Sequence, residues 1–243
     1  MAYKLILDFG NTLKKIAVFQ DDKLVDLKTT SNDVIGIIEG FKVAYPNLKQ
    51  AILSSVIKVD IHLMAYLRTN FSFIFFDEKT AIPIKNSYKS PKTLGRDRIA
   101  AAVAGAKLYP HQHVLVIDAG SSITYEIVTS DHEYLGGAIS PGLKMRAKAL
   151  NVFTDGLPLV SVEDKTDMIG NTTETSLKSG IINGTIAEIN GMISAYSDLY
   201  ENLKIILTGG DTYYFDNSLK YDIFASPNLV LQGLNDIIDY NEH

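Results

Sequence analysis

The sequence predicts an α/β protein of two similar halves, with mixed sheets flanked by helices. Three observations predict it. A short apolar run ends in the turn Asp8-Phe9-Gly10-Asn11-Thr12. A second ends in Asp118-Ala119-Gly120-Ser121-Ser122-Ile123-Thr124. Both turns open the same order of strand, Asp-x-Gly turn, strand, turn, strand, which a duplicated domain explains. The halves are placed at 1–112 and 113–243, each within the ordinary size of a domain.

Lys4–Asp8 is a buried strand by its apolar run, and the segment from Met1 to Asp8 has the wrong charge and length for a signal peptide. Lys15–Phe19 and Leu24–Lys28 follow as strands, with Asp21-Asp22 as the hairpin turn between them. Ser31-Asn32-Asp33 carries cap chemistry ahead of a helix from Val34 to Phe41. Ala51–Val56 is a strand, His62–Asn70 a helix and Phe71–Phe76 a strand, and Pro83–Pro91 is loop. Ile99–Ala106 is a helix of small residues, which lets another backbone approach closely. In the second half Val114–Asp118, Tyr125–Thr129 and Tyr134–Ile139 read as strands. Ser176–Tyr200 is a long helix with a broad apolar face, interrupted by Gly180, Gly184 and Gly191. Lys204–Thr208 is a strand that breaks at Gly209-Gly210-Asp211, and Leu229–Tyr240 is a closing helix.

Composition narrows the function. Apolar residues are 46% and charged residues 21%, which is globular rather than disordered composition. Lys and Arg total 23 against 28 Asp and Glu, so no basic surplus favours nucleic acid. Cysteine is absent, and with it disulfides, thiolate metal sites and a Cys nucleophile. His62, His111, His113, His132 and His243 form no HExxH pair, and His111-Gln112-His113 reads as a polar loop. No segment approaches the ~20 apolar residues that span a bilayer, so a cytoplasmic location without membrane contact is expected.

The turns carry the chemistry. A glycine after a strand permits a tight turn and turns backbone N–H groups toward an anion. In the first turn Thr12 adds a hydroxyl, Lys15 a positive charge, and Asp8 a carboxylate able to hold Mg²⁺ directly or through water. A plain hairpin with Asp and Asn in turn roles would use the same residues. Two such hairpins, each opening a half, can face one another and hold one triphosphate. Leu207-Thr208-Gly209-Gly210-Asp211 is a third piece, whose glycines allow close approach to a nucleoside.

This arrangement resembles the superfamily of acetate and sugar kinases, heat-shock ATPases and actin, in which two ribonuclease-H-like halves carry phosphate-binding hairpins. Three further segments narrow it: Gly95-Arg96-Asp97-Arg98 before a small-residue helix, Gly136-Gly137-Ala138-Ile139-Ser140-Pro141-Gly142, and Ile169-Gly170-Asn171-Thr172-Thr173 with Ser179-Gly180. With the Asp-x-Gly-Asn-Thr-x-x-Lys and Thr-Gly-Gly-Asp segments, and in this order, the chain resembles the type III pantothenate kinases. It departs from their usual pattern at Ser121-Ser122, at Glu126, where Asp is frequent, and at Lys14, where an apolar residue is usual.

The resemblance implies transfer of the γ-phosphoryl group of ATP to the primary hydroxyl of pantothenate. It implies Asp97 as the proton acceptor, where a helix cap is the structural alternative. Gly95, Arg96 and Arg98 would line the substrate with Tyr88 and Thr173; half-buried packing would equally suit Tyr88, and helix capping Thr173. Asp8, Gly10, Asn11, Thr12, Lys15 and Ser121 would hold the ATP phosphates, and Gly209 and Gly210 the nucleoside. Asp118 would bind a monovalent cation, K⁺ or NH₄⁺, and Asp8 would hold Mg²⁺, through water. A homodimer is implied, with each pantothenate pocket completed by Thr173 of the other protomer. Three rivals share the fold: a non-catalytic regulatory relative, another small-molecule kinase, and an actin-like assembly protein.

Overall fold

The computed structural model describes residues 3–162, 166–215 and 218–242. Met1 and Ala2, ahead of the first predicted strand, lie outside the described residues, as does His243. The elements run β1 (Tyr3–Phe9), β2 (Lys14–Gln20), β3 (Lys23–Thr30), α1 (Val34–Ala44), β4 (Leu48–Ser55), α2 (Ile61–Asn70), β5 (Ser72–Phe75), β6 (Lys85–Asn86) and α3 (Arg96–Leu108). They continue as β7 (Val114–Ala119), β8 (Ser122–Val128), β9 (Glu133–Pro141), α4 (Leu143–Val152), α5 (Thr173–Leu199), β10 (Lys204–Thr208), α6 (Thr212–Phe215), β11 (Phe224–Ala225) and α7 (Leu229–Tyr240).

The chain packs as two compact units. Of the described residues, the first holds those up to Pro110, His132–Leu135 and those from Asn228 onward; the second holds those of His111–Asp131 and Gly136–Pro227. Chain order alone would put α7 with the second half. It packs instead on α3 and β1 of the first unit.

The first unit's sheet has the order β3-β2-β1-β4-β5. β1 pairs antiparallel with β2 and parallel with β4. Side chains of a strand alternate between faces, and the two faces of β1 are used differently. Leu5, Leu7 and Phe9 join Ile38 and Phe41 of α1 and Leu63 and Leu67 of α2 in one core cluster. On the opposite face Lys4, only 4% exposed, reaches Asp239 of α7 at 2.5 Å. α3 is buried from Arg98 to Ala106, and its small residues admit α7: a Cβ on Gly233 would run into the Ala100 carbonyl.

The second unit repeats the strand order as β9-β8-β7-β10-β11. This matching order is the ribonuclease-H-like arrangement expected for each half. Leu115 and Ile117 of β7, Tyr125 of β8 and Leu207 of β10 pack with Leu143 and Ala147 of α4 and Leu177, Ile181, Ile189 and Ile193 of α5. α5 opens on a capping box between Thr172 and Thr175. The opening residues of β9 pair in parallel with β6, Lys85 opposite Glu133.

Five elements differ from the sequence reading. β8 begins at Ser122, because Ile123 and Thr124 pair with Ala119 and Asp118 and do not extend the turn. α4 and α6 are additional helices. β6 forms inside the predicted loop, and β11 is a further two-residue strand. Among the described residues no helix is long and apolar enough to cross a membrane.

Candidate active site

The first hairpin turn is closed by the Gly10 N–H, which donates to the Leu13 carbonyl at 3.1 Å. Antiparallel register sets Asp8 opposite Lys15, so an acid and a base flank the turn by construction. Asn11 and Thr12 are exposed at its tip. Lys14 lies 5.5 Å from the Phe9 ring centroid, a cation–π contact beside the turn. The turn therefore offers hydroxyl, amide and ammonium donors at the end of a buried strand.

A second group gathers at the start of α3. Gly95 caps the helix with no side-chain bond, and Asp97 lies in the first turn. The Asp97 carboxylate accepts the Arg98 N–H at 2.9 Å and folds back toward Gly95, where a Cβ would meet it at 2.5 Å. The absence of a Cβ at Gly95 leaves the carboxylate this position. Asp97 does not occupy the cap position, although its carboxylate bonds an N–H of the first turn. Arg98 is 7% exposed, with its guanidinium 5.7 Å from the Tyr88 ring, and Tyr88 in turn lies 6.2 Å from Tyr134. Tyr88 is held by β6, since its N–H donates to Asn86 Oδ1 at 3.0 Å. Beside it Glu133 accepts from Ser87 and pairs with Lys85 at 2.9 Å, and these bonds hold its carboxyl below the usual range. Arg96 points elsewhere: it bonds the Pro91 carbonyl at 2.5 Å and lies 6.0 Å from the Phe76 ring. The structure thus brings together Tyr88, Gly95, Asp97 and Arg98, and gives Arg96 a loop-holding contact.

In the second unit three predicted segments converge on one turn. The Gly120 N–H donates to Ser122 O at 3.1 Å. The Gly142 N–H donates to Ser121 O at 3.2 Å, and a Cβ on Gly142 would strike the Gly120 carbonyl. From the other side Asp211 N–H donates to Ala119 O at 2.9 Å. Gly209 has φ +98°, and a Cβ there would strike Ala119 O and Asp118 Oδ1. Glycine meets both demands, the left-handed backbone and the close approach. Asp118, Ser121 and Gly209 therefore share one place. Burial raises the Asp211 carboxyl above its ordinary value, against the attraction of Lys144. Gly137 is explained by packing: a Cβ would overlap the Tyr125 carbonyl. Glu126 is fully buried in β8.

Thr172 caps α5, and Thr173 follows it, exposed, in the first turn. The capping role considered for Thr173 thus belongs to its neighbour. The histidine loop is structural: His113 Nδ1 accepts the Ser130 N–H at 3.2 Å, and its ring lies 5.1 Å from Tyr200.

The sequence profile of the type III pantothenate kinases matches residues 4–195. The chain belongs to the type III pantothenate kinase family. A type III pantothenate kinase of Christiangramia forsetii is 44% identical over 98% of both chains, and that of Phocaeicola vulgatus is 44% identical over the same shares. A crystal structure of a Baf family protein from Campylobacter jejuni shares the fold, with a TM-score of 0.63 and 24% identity over 98% of both chains. Among the type III pantothenate kinase motifs in the sequence none gives a role to Ser140, Arg146 or Glu188, which hydrogen-bond one another across β9, α4 and α5. Ser140 lay in a matched motif. The sparse Leu143, Ala147, Leu150 spacing was the one local sign of the helix that carries Arg146.

Proposed function

We infer that the chain transfers the γ-phosphoryl group of ATP to the primary hydroxyl of pantothenate, forming 4′-phosphopantothenate, the opening step of coenzyme A biosynthesis. Family membership over nearly the whole chain carries this reading. The proton acceptor is Asp97. A carboxylate suits a loose phosphoryl-transfer transition state, since it need accept the proton only as the new bond forms. Arg98, desolvated beside Tyr88, supplies a fixed positive charge for the pantothenate carboxylate or the transferring group. Gly95 gives the substrate close access to backbone, Arg96 holds the adjoining loop, and Thr173 hydrogen-bonds pantothenate.

ATP phosphates are bound by Asp8, Gly10, Asn11, Thr12 and Lys15 in one turn and Ser121 in the other, with Gly209 and Gly210 against the nucleoside. Among the described residues no group of three or more His, Asp or Glu could hold a metal alone. That fits Mg²⁺ carried mainly by the substrate phosphates, with Asp8 assisting through water. When bound, the ion neutralises phosphate charge. Asp118 brings a carboxylate, a hard oxygen donor, to this turn, which suits a monovalent cation such as K⁺ or NH₄⁺.

The deciding experiment incubates purified protein with pantothenate, ATP, Mg²⁺ and K⁺ and measures ADP and 4′-phosphopantothenate. Absence of product across a range of both cations would overturn the reading. The protein acts as a homodimer in this proposal, with Thr173 completing the pocket of the other protomer. Mixing Asp97→Asn protein with a Thr173→Val variant, under conditions that exchange subunits, then restores part of the activity. No recovery despite proven exchange places each pocket within one chain.

A further inference from the structure

A closed polar ring stands behind the second hairpin turn. Arg146 Nη2 donates to Glu188 Oε2 at 2.6 Å and to Ser140 Oγ at 2.8 Å. Arg146 Nε donates to the Pro141 carbonyl at 2.8 Å. Ser140 Oγ completes the ring by donating to Glu188 Oε1 at 2.5 Å. The side chains of Arg146 and Glu188 are 22% and 32% exposed, and they come from α4 and α5. The segment they grip, Ser140–Gly142, leads directly to the Gly142 N–H that bonds Ser121. There is no slack at that junction, since Gly142 has no room for a Cβ against the Gly120 and Ser121 carbonyls.

We propose that Arg146 and Glu188 are positioning residues for nucleotide binding, which act through Ser140–Gly142 to hold the second hairpin turn in its binding shape. An ion pair this accessible adds little to global stability. Its geometry serves a different end. One planar guanidinium satisfies three acceptors on two elements, which a lysine ammonium cannot reproduce in the same fork. Loosening the ring frees Ser140–Gly142, and the turn must then be ordered when nucleotide arrives. That ordering cost falls on binding and not on the chemical step. Neither residue is assigned a contact with nucleotide, so the effect is transmitted entirely through the backbone of Ser140–Gly142.

The inference rests on Ser121 contacting phosphate, and its test is separable from that of the overall reaction. The Kd of a non-hydrolysable ATP analogue is measured by calorimetry on the full chain with Mg²⁺ and K⁺, beside KM for ATP and kcat. Arg146→Met weakens binding about tenfold and raises KM in step, while kcat stays within about threefold, the pattern of lost preorganisation. Arg146→Lys falls between wild type and Arg146→Met, and Ser140→Ala shifts Kd in the same direction by less. A wild-type Kd in Arg146→Met, or a fall in kcat at unchanged Kd, overturns the proposal. Should Arg146→Met fail to fold, Glu188→Gln, which keeps the size and part of the bonding, is read the same way. A wild-type protein that binds the analogue but makes no phosphopantothenate would defeat the proposed reaction and leave this inference to the Kd series.

Discussion

Replacing Gly233 by alanine sets two opposed effects against each other. Gly233 lies inside α7, and alanine there gains about 1 kcal/mol in helix propensity. The added Cβ would also run into the Ala100 carbonyl of α3. Carbon and carbonyl oxygen settle at about 3.3 Å or more, and this Cβ would lie far inside that distance. The helices must then part by roughly 1 Å over a face buried from Arg98 to Ala106, and overpacking of that kind costs about 1–3 kcal/mol. Lost contacts along the displaced face add to that cost, so it exceeds the propensity gain and leaves a net loss of about 2 kcal/mol. For a chain of 243 residues each kcal/mol moves Tm by about 2–4 °C, so a fall of about 4–8 °C is expected. α3 also carries Asp97, the proposed proton acceptor, in its first turn, and misplacing such a group by a fraction of an ångström is expected to lower kcat about tenfold. Thermal unfolding and kcat are measured together, with Gly40→Ala as the control. Gly40 lies in α1 with open space around it, so propensity alone acts and Tm should rise. A Gly233→Ala protein as stable as wild type, or more so, would show that α3 and α7 have slack and refute the packing account.

Asp97→Asn keeps the side chain's size but removes the base, and kcat is expected to fall by about 10²–10⁴ with nucleotide Kd unchanged; turnover within threefold of wild type would leave Asp97 a structural acid. Replacing K⁺ by Na⁺ is expected to raise KM for ATP, and Asp118→Asn to flatten the difference; equal rates of wild type in both salts remove the cation role. The Asp211 carboxyl is raised by burial, so the folded state binds the proton more tightly than the unfolded one, and stability falls as pH rises through the range between the two values. Asp211→Asn should therefore raise Tm at pH 7, with the gain shrinking toward the ordinary carboxylate range near pH ~4; a pH-independent difference would contradict the sign. A Cβ on Gly184 would meet nothing within the chain, so Gly184→Ala is expected to weaken self-association if α5 packs on a second copy; sedimentation showing an unchanged dimer with a higher Tm would exclude that face.

The parts of the fold that sequence made legible are those with a local physical signature. β1 and β7 are legible as apolar runs ending at Asp, and α3 as the small-residue block Ile99–Ala106 after Gly95-Arg96-Asp97-Arg98. The start of β8 was misread because Ser121 and Ser122 look like turn residues, whereas pairing with Ala119 and Asp118 decides the matter across the hairpin. α4 was missed because Lys144, Arg146 and Lys148 crowd its short apolar stripe. β6 and β11, at two residues each, are shorter than any period that could reveal them. At the site, Gly142 and Gly209 were visible as glycines, but their shared target, the Gly120 turn, is a tertiary fact. The Arg146–Glu188 ring joins residues with no sequence relation, so no spacing could have found it.

The packing of α7 on α3 and β1 also has a consequence in time. A ribosome releases β1 to α3 early, yet that unit waits for a helix made near the end of synthesis, including the Asp239 partner of Lys4. Meanwhile the face of β1 that carries Lys4, and the small-residue surface of α3 that receives Gly233, have no cover. The second unit, continuous but for 132–135 from His111 to Pro227, has all its own elements before α7 emerges. Maturation of the unit that carries Asp97 is thereby coupled to completion of the chain, and a stalled or shortened translation product lacks a finished first unit.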